Sequence, residues 1–344
     1  MEKGKHATSK EKRMKKEAKK QIISRLVILL LCLICIIAII QTQNANEEVS
    51  AIQGKSVEEA EKENKEEGQN EESSGESNGE GENEEKQEEP VVPSEDEEIK
   101  NLITEIKTAN NLTTNNFAFF YYNPETQKYY FDNQDKYFTA ASTVKVPVAM
   151  LYYDKIKNGE LTLESKLQYT SDDYEAGGGT TTSTYKVGSY IPISFLLEQS
   201  IINSDNTAVN ILIDGIGYRK CRQQIAQYSD NEFIDDFYSS NLTTAAFGYD
   251  VINHLYQNQE DYEELIGYMK KSSFGAYLKK YITEYDVAHK YGSYAGNVHD
   301  YGIVFAESPY LIGIYTEDVT GADELIANIS RQVLDTILAR ESSK

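Results

Sequence analysis

Residues 138–150 read FTAASTVKVPVAM. This stretch places Ser142 three positions before Lys145, where a polar turn gives way to the apolar run VPVAM. Residues three apart share one face of a helix, so the lysine amine is within reach of the serine hydroxyl. A serine hydroxyl is a weak nucleophile until a neighbour takes its proton. A lysine can take that proton at neutral pH only if burial and a second nearby cation keep part of it uncharged. The pair therefore reads either as a nucleophile with its base or as a helix start with a solvent lysine. Spacing alone does not choose, because Ser-x-x-Lys also occurs at Ser9/Lys12 and Ser183/Lys186.

Position along the chain narrows the choice. Residues 1–25 hold ten Lys or Arg against three Glu, and residues 26–40 are an unbroken apolar run. This predicts a basic cytoplasmic tail (1–25) and a transmembrane anchor (26–41), with everything downstream outside the cell membrane. At about 1.5 Å per residue the run falls short of a hydrocarbon core roughly 30 Å thick, a gap that snorkelling by Arg25 would close. A cleaved secretory signal is the alternative, although QTQNANEEVSA offers no clear small-x-small cleavage site. On the anchor reading Ser9 is cytoplasmic and drops out.

Residues 47–98 carry twenty-one acidic residues against four Lys, among Gly, Ser, Asn and Gln. Such a segment buries too little apolar surface to fold, which predicts an acidic disordered linker over 42–97. GESNG at 75–79 matches the Gly-x-Ser-x-Gly nucleophile elbow, but it lacks the strand and helix that motif requires. Of the formal charge of −22, −12 remains for the rest of the chain. An acidic exterior domain argues against a nucleic-acid partner. Cys32 and Cys35 lie in the apolar run, leaving Cys221 alone, so neither a disulfide nor a cysteine metal site is expected. Cys221 reads as a small buried hydrophobe.

Residues 98–344 suffice for one domain or two lobes sharing a cleft. Ser94 and Glu97 read as a capping box before the helical spacing of Ile99, Leu102, Ile103 and Ile106. NFAFFYYN and KYYFDN flank PETQ as a strand hairpin. VKVPVAMLYYDKIKNG, PISFLLEQSIIN and TAVNILIDGIG read as helices with proline and glycine boundaries. YDVAHKYGSYAG, YGIVFAES and YLIGIYTED then form a meander before a last amphipathic helix running from Leu325 to Leu338. The expected fold is α/β (α+β) and two-lobed. An antiparallel sheet comes from both chain ends with terminal helices on it, and a helical lobe comes from the middle. A ligand would occupy the cleft between them.

Partners for Ser142 can then be sought. INSDNTAVN sets Ser204, Asp205 and Asn206 between two helical runs, whereas the same tripeptide at Ser229 to Asn231 lies on a polar loop. Lys290, Tyr291 and Gly292 fall in the first strand of the closing meander, and Ser183 falls in GGGTTTSTYK, read as a loop. Only Ser142 opens a helix. In an acyl transfer Lys145 would be the base, Lys290 the second cation and Ser204 the proton relay to the leaving nitrogen. Backbone N–H groups at the helix start and at Ser293 would face the oxyanion, and Asn206 would hold a substrate amide. His289, His299 and Asp300 fit no His-based triad and are read as structural. Four scattered histidines make no zinc site, and neither metal nor cofactor is expected. The 26 tyrosines, with no tryptophan, are read as core and strand aromatics.

Three motifs in this order resemble those of the penicillin-recognising serine hydrolases, specifically the class A β-lactamase-like group. The resemblance spans about residues 100 to 340, and VAHKYGSYAGNVHDYGIVF is similar to the HKTG…HD.GIV strand pair of Gram-positive, cell-wall-associated members. It implies Ser142 as the acylated nucleophile, with Lys145, Ser204 and Lys290 in the roles above. Asn206, Tyr291, Gly292 and Ser293 would bind substrate. Tyr291 departs from the family's Thr or Ser, whose hydroxyl helps bind the substrate carboxylate. The stretch QYSDNEFIDDFYSSNLTTAAFG lacks the Glu-x-x-Leu-Asn loop that activates water for deacylation, and Glu232 is its one glutamate. The expectation is a membrane-tethered, monomeric extracellular serine hydrolase. It would acylate on β-lactams or D-Ala-D-Ala-type peptidoglycan peptides and deacylate slowly. A penicillin- or peptidoglycan-binding sensor, or a structural wall protein with a degenerate site, are the alternatives.

Overall fold

The structure, a computed structural model, describes residues 94–272 and 277–342. The basic tail, the apolar run and nearly all of the acidic linker lie outside them. Among the described residues no helix is long and apolar enough to cross a membrane.

The folded part begins earlier than residue 98. Strand β1 (Ser94–Glu95) pairs parallel with β3 (Lys128–Asp132), and helix α1 (Glu97–Ala109) follows directly. The cap is not the Ser94/Glu97 box. Asp96 is the N-cap, accepting from the Ile99 N–H at 3.2 Å, and its carboxylate is also gripped by both terminal nitrogens of Arg340 at 2.9 and 3.0 Å. A carboxylate that both caps a helix start and pairs with a guanidinium outcompetes a serine hydroxyl two residues earlier.

The expected hairpin is β2 (Phe117–Tyr122) with β3, and its turn is held by Asn123 Oδ1, which accepts from the Glu125 and Thr126 N–H groups. The middle of the chain supplies β4 (Phe138–Thr139), α2 (Lys145–Lys157), β5 (Lys166–Gln168), α3 (Thr181–Thr184), β6 (Tyr190–Pro192), α4 (Ile193–Ile202), α5 (Asn206–Ile216), α6 (Tyr218–Ile225), β7 (Leu242–Thr243), α7 (Ala245–Gln257) and α8 (Glu263–Lys270). The end returns to the sheet with β8 (Asp286–Tyr294), β9 (Asn297–Phe305) and β10 (Tyr310–Glu317), and closes with α9 (Ala322–Glu341). One reading needs correction: the stretch around Ser183 is not all loop, since α3 makes one helical turn there.

The main sheet has strand order β1-β3-β2-β10-β9-β8, antiparallel apart from β1/β3. Its central strands are buried on both faces. In β2, Phe117, Phe119 and Tyr121 face one core with Ile99 and Ile103 of α1 and Ile326, Val333 and Ile337 of α9. Ala118 and Phe120 face the other core, shared with α2, α4, α5 and α7. Period-two alternation between two apolar layers is why NFAFFYYN reads as almost continuously apolar. The expected architecture is therefore the observed one, and it leaves β8 as a free sheet edge beside the helical lobe.

The approach of α7 to the sheet depends on Gly248, where an added Cβ would collide with the Tyr315 hydroxyl in the closed core. Helix propensity alone would make Gly248→Ala a gain of about 1 kcal/mol. Overpacking reverses the sign, and a net loss of about 1–3 kcal/mol is expected as a lower urea midpoint. A raised midpoint would show that the α7 contact is not closed as described.

Candidate active site

Ser142 lies in a 3₁₀ turn, Ala141–Val144, that runs straight into α2 at Lys145. In a 3₁₀ turn residues three apart eclipse each other, which aligns the serine with the lysine more closely than an α-helix would. The Lys145 amine donates to Ser142 Oγ at 3.0 Å. Ala141, immediately before, has φ of 48°, a left-handed conformation that non-glycine residues rarely adopt. Asn241 braces the turn, accepting from the Ala140 N–H at 2.8 Å through its carbonyl and donating its side-chain amide to the Ala141 carbonyl at 3.1 Å.

The second motif turns between α4 and α5. Ser204 also has a left-handed φ of 53°, which presents its carbonyl and hydroxyl together to Lys145. The amine donates to that carbonyl at 2.6 Å, to Ser204 Oγ at 3.2 Å and to Asn206 Oδ1 at 2.8 Å. Asp205 faces the other way, capping α5 through the Ala208 N–H and accepting from the Thr181 N–H of α3. Lys145 is 2% exposed. Burial lowers its pKa from 10.5 to about 7, against a partial upward pull from the carboxylates of Asp205 and Glu175.

The third motif comes from β8. Lys290 is fully buried and its amine donates to Ser204 Oγ at 3.0 Å and to the Tyr291 carbonyl at 2.9 Å. Burial drives its pKa well below the ordinary value and the neighbouring Lys145 charge adds to that, while Asp300 opposes it. Gly292 lies flush on the nucleophile turn, since a Cβ there would stand 2.9 Å from both the Ser142 nitrogen and the Ala140 carbonyl oxygen. Only glycine permits this approach, and it brings the backbone before Ser293 against the Ser142 N–H, as an oxyanion site built from both would need. Ser293 lines the same cavity as Ser142, a space of about 310 Å³.

Tyr291 is nearly buried. Its ring stacks on Tyr277 at 4.8 Å, and the Lys290 amine lies 4.1 Å from its centroid. In place of the family's small hydroxyl this position therefore carries an aromatic ring packed between Lys290 and Tyr277.

The residues set aside behave as structural groups. His289 Nδ1 bonds buried Asp300 at 2.7 Å, and Asp300 accepts from the Leu278 N–H, tying the segment that carries Tyr277 to the sheet. His299 bridges the Thr139 carbonyl and the Thr316 N–H, with burial lowering its pKa to about 4. Cys221 is buried and its thiol is pushed up to about 11. Ser183 donates to the Thr180 carbonyl, and Ser229 donates to Asp250. Glu232, a candidate for activating water, is exposed and does not line the cavity with Ser142. Glu175 does line it, and nothing in the sequence marks that residue except the three glycines two positions on. Among the described residues no cluster of His, Cys, Asp or Glu could hold a metal ion.

One hydroxyl beside a partly neutral amine, with a second hydroxyl bridging to a second amine, is an arrangement suited to attack on a carbonyl and proton delivery to its leaving group. The model of the beta-lactamase enzyme family matches residues 96–337. The chain belongs to that family. Among solved structures it is similar to PBP-A, at 22% identity and a TM-score of 0.62, covering 73% of this chain and 100% of that one. A mutant of PBP-A solved as an acyl-enzyme complex with penicillin G gives 23% and 0.63, covering 73% and 99%. A beta-lactamase from Sphaerobacter thermophilus gives 22% and 0.60, covering 69% and 97%. At these identities the likeness carries the fold alone. No curated protein sequence matches the chain.

The lowered pKa of Lys145 has a consequence for stability. Between about 7 and the unfolded value of 10.5 the unfolded chain binds the extra proton, so stability rises with pH across that window and the penalty of burial is full below it. Lys145→Met should raise the unfolding free energy at pH 6 by about 1–3 kcal/mol, part of the gain being cancelled by lost hydrogen bonds. That gain should shrink between pH 7 and 10.5 in chemical denaturation. A gain that does not change with pH would mean that Lys145 is charged in the folded state.

Proposed function

We propose that this chain is a serine hydrolase that works by acyl transfer. Ser142 Oγ attacks the carbonyl carbon of a β-lactam or of a D-Ala-D-Ala-type peptidoglycan peptide as Lys145 takes its proton. Ser204, held between Lys145 and Lys290, passes a proton to the nitrogen as the C–N bond breaks. The observation that carries this reading is the 3.0 Å contact from the Lys145 amine to Ser142 Oγ, made by a lysine whose pKa lies near 7. The penicillin G complex of the PBP-A mutant supports the ligand class. The segment after the second motif brings no carboxylate to the cavity, so the water-activating loop of the family's enzymes has no counterpart there, and the acyl-enzyme is expected to be long-lived. The anchor at 26–41 holds the domain, a monomer, on the outer face of the cell membrane through the acidic linker.

Tyr291 favours a second reading, a structural wall protein with a degenerate site. A ring stacked on Tyr277 fills space where the family's small hydroxyl meets the substrate carboxylate. Covalent labelling with fluorescent penicillin separates the two. The full-length chain should take the label at Ser142, Ser142→Ala should abolish it, and the labelling rate should fall as pH drops through about 7 and Lys145 gains a proton. Label retained in Ser142→Ala would move the nucleophile elsewhere. Absence of label in the wild-type chain would favour the degenerate-site reading.

A further inference from the structure

Glu175 is the single carboxylate among the described residues that line the Ser142 cavity. Its two oxygens are held separately, Oε1 by the Asn206 side-chain amide at 3.2 Å and Oε2 by the Asn210 amide at 3.0 Å. Asn206 is the residue whose other end, Oδ1, accepts from Lys145, so Ser142, Lys145, Asn206 and Glu175 form one connected row. The backbone of Glu175 is fixed as well. Its N–H donates to the buried Thr207 hydroxyl at 3.2 Å, and that hydroxyl donates back to the Glu175 carbonyl at 3.1 Å.

Three glycines after it bring the loop flush against the second motif. A Cβ on Gly177 would stand 2.6 Å from Asn206 Nδ2, one on Gly178 would collide with the Asn203 carbonyl, and Gly179, at φ +93°, is pressed against Asp205. Side chains at these positions would lift the loop, and Glu175 with it, away from the site. Each carboxylate oxygen accepts one amide hydrogen and keeps a lone pair for a water in the cavity.

We propose that Glu175 is the carboxylate that activates water against acylated Ser142, reaching the site from the loop before the second motif. This assignment rests on the acyl-transfer reading above. The water oxygen bonds to the ester carbonyl carbon as one water proton passes to Glu175. That proton goes on to Ser142 Oγ as the C–Oγ bond breaks. The acyl group leaves as a carboxylic acid, and Ser142 and Glu175 return to hydroxyl and carboxylate. What hydrolysis the site performs runs through this residue, and Glu232 has no part in it.

The test uses the full-length chain labelled with fluorescent penicillin. Formation of the acyl-enzyme and its decay after a chase with unlabelled penicillin are timed separately for wild type, Glu175→Gln, Glu175→Asp and Glu232→Gln. Loss of a general base predicts that Glu175→Gln acylates at a rate close to wild type and holds the label about 10²-fold longer. Glu175→Asp, with a carboxylate one methylene further back, should fall between, and it carries the test if the Gln variant does not fold. Glu232→Gln should decay like wild type. Decay at the wild-type rate in Glu175→Gln overturns the proposal. So does a parallel slowing of formation and decay, which would make Glu175 a positioning residue for Asn206. A wild-type chain that takes no label removes the acyl-transfer reading first and this assignment with it.

Discussion

Two lysine amines share one serine hydroxyl inside this protein, and no carboxylate among the described residues forms an ion pair with either. Ser204 Oγ lies 3.2 Å from the Lys145 amine and 3.0 Å from that of Lys290. Their other acceptors are carbonyls, a hydroxyl and an amide. Two buried like charges at this separation repel strongly and lack the hydration that water would give them. The arrangement is stable only if protons are missing from it, and a missing proton is what a general base requires. Chemistry and electrostatic strain therefore have one origin, and the rest of the fold holds three segments together against it.

The holding is done by backbone more than by side chains. Ala141 and Ser204 both adopt left-handed conformations next to the groups they present, and Gly292 admits the edge strand β8 to van der Waals range of the nucleophile turn. Behind β8, the His289–Asp300 pair fixes the segment bearing Tyr277, which in turn supports Tyr291 against Lys290. The sheet itself is anchored where the first and last described helices meet, with Arg340 of α9 closing on the cap of α1.

Much of this was legible in the sequence. Period-two and helical spacing located the sheet strands and the terminal helices, because each buries a regular apolar face. The order of Ser142, Ser204 and Lys290 pointed to residues that the fold does bring together, because Ser142 and Ser204 lie at element boundaries and Lys290 is a lone cation within an apolar strand. What was not legible depended on contacts between distant residues. Asp96 displaced the expected cap because its partner, Arg340, lies at the other end of the chain. Glu175 was missed because nothing local distinguishes a glutamate aimed at Asn206 from one aimed at solvent; the three glycines signalled a tight approach without saying to what. The departure at Tyr291 is plain in the sequence, but its stacking on Tyr277 joins residues fourteen positions apart that no local pattern pairs.

The protonation state of Lys145 tests the account most directly. In a chain labelled with ¹³C at the lysine ε-carbons, with the resonance assigned by its loss in Lys145→Met, the chemical shift can be followed from pH 5 to 11. The account predicts that Lys145 titrates near pH 7, apart from the exposed lysines. A Lys145 resonance that titrates with the exposed lysines near their ordinary value of about 10.4 would contradict it.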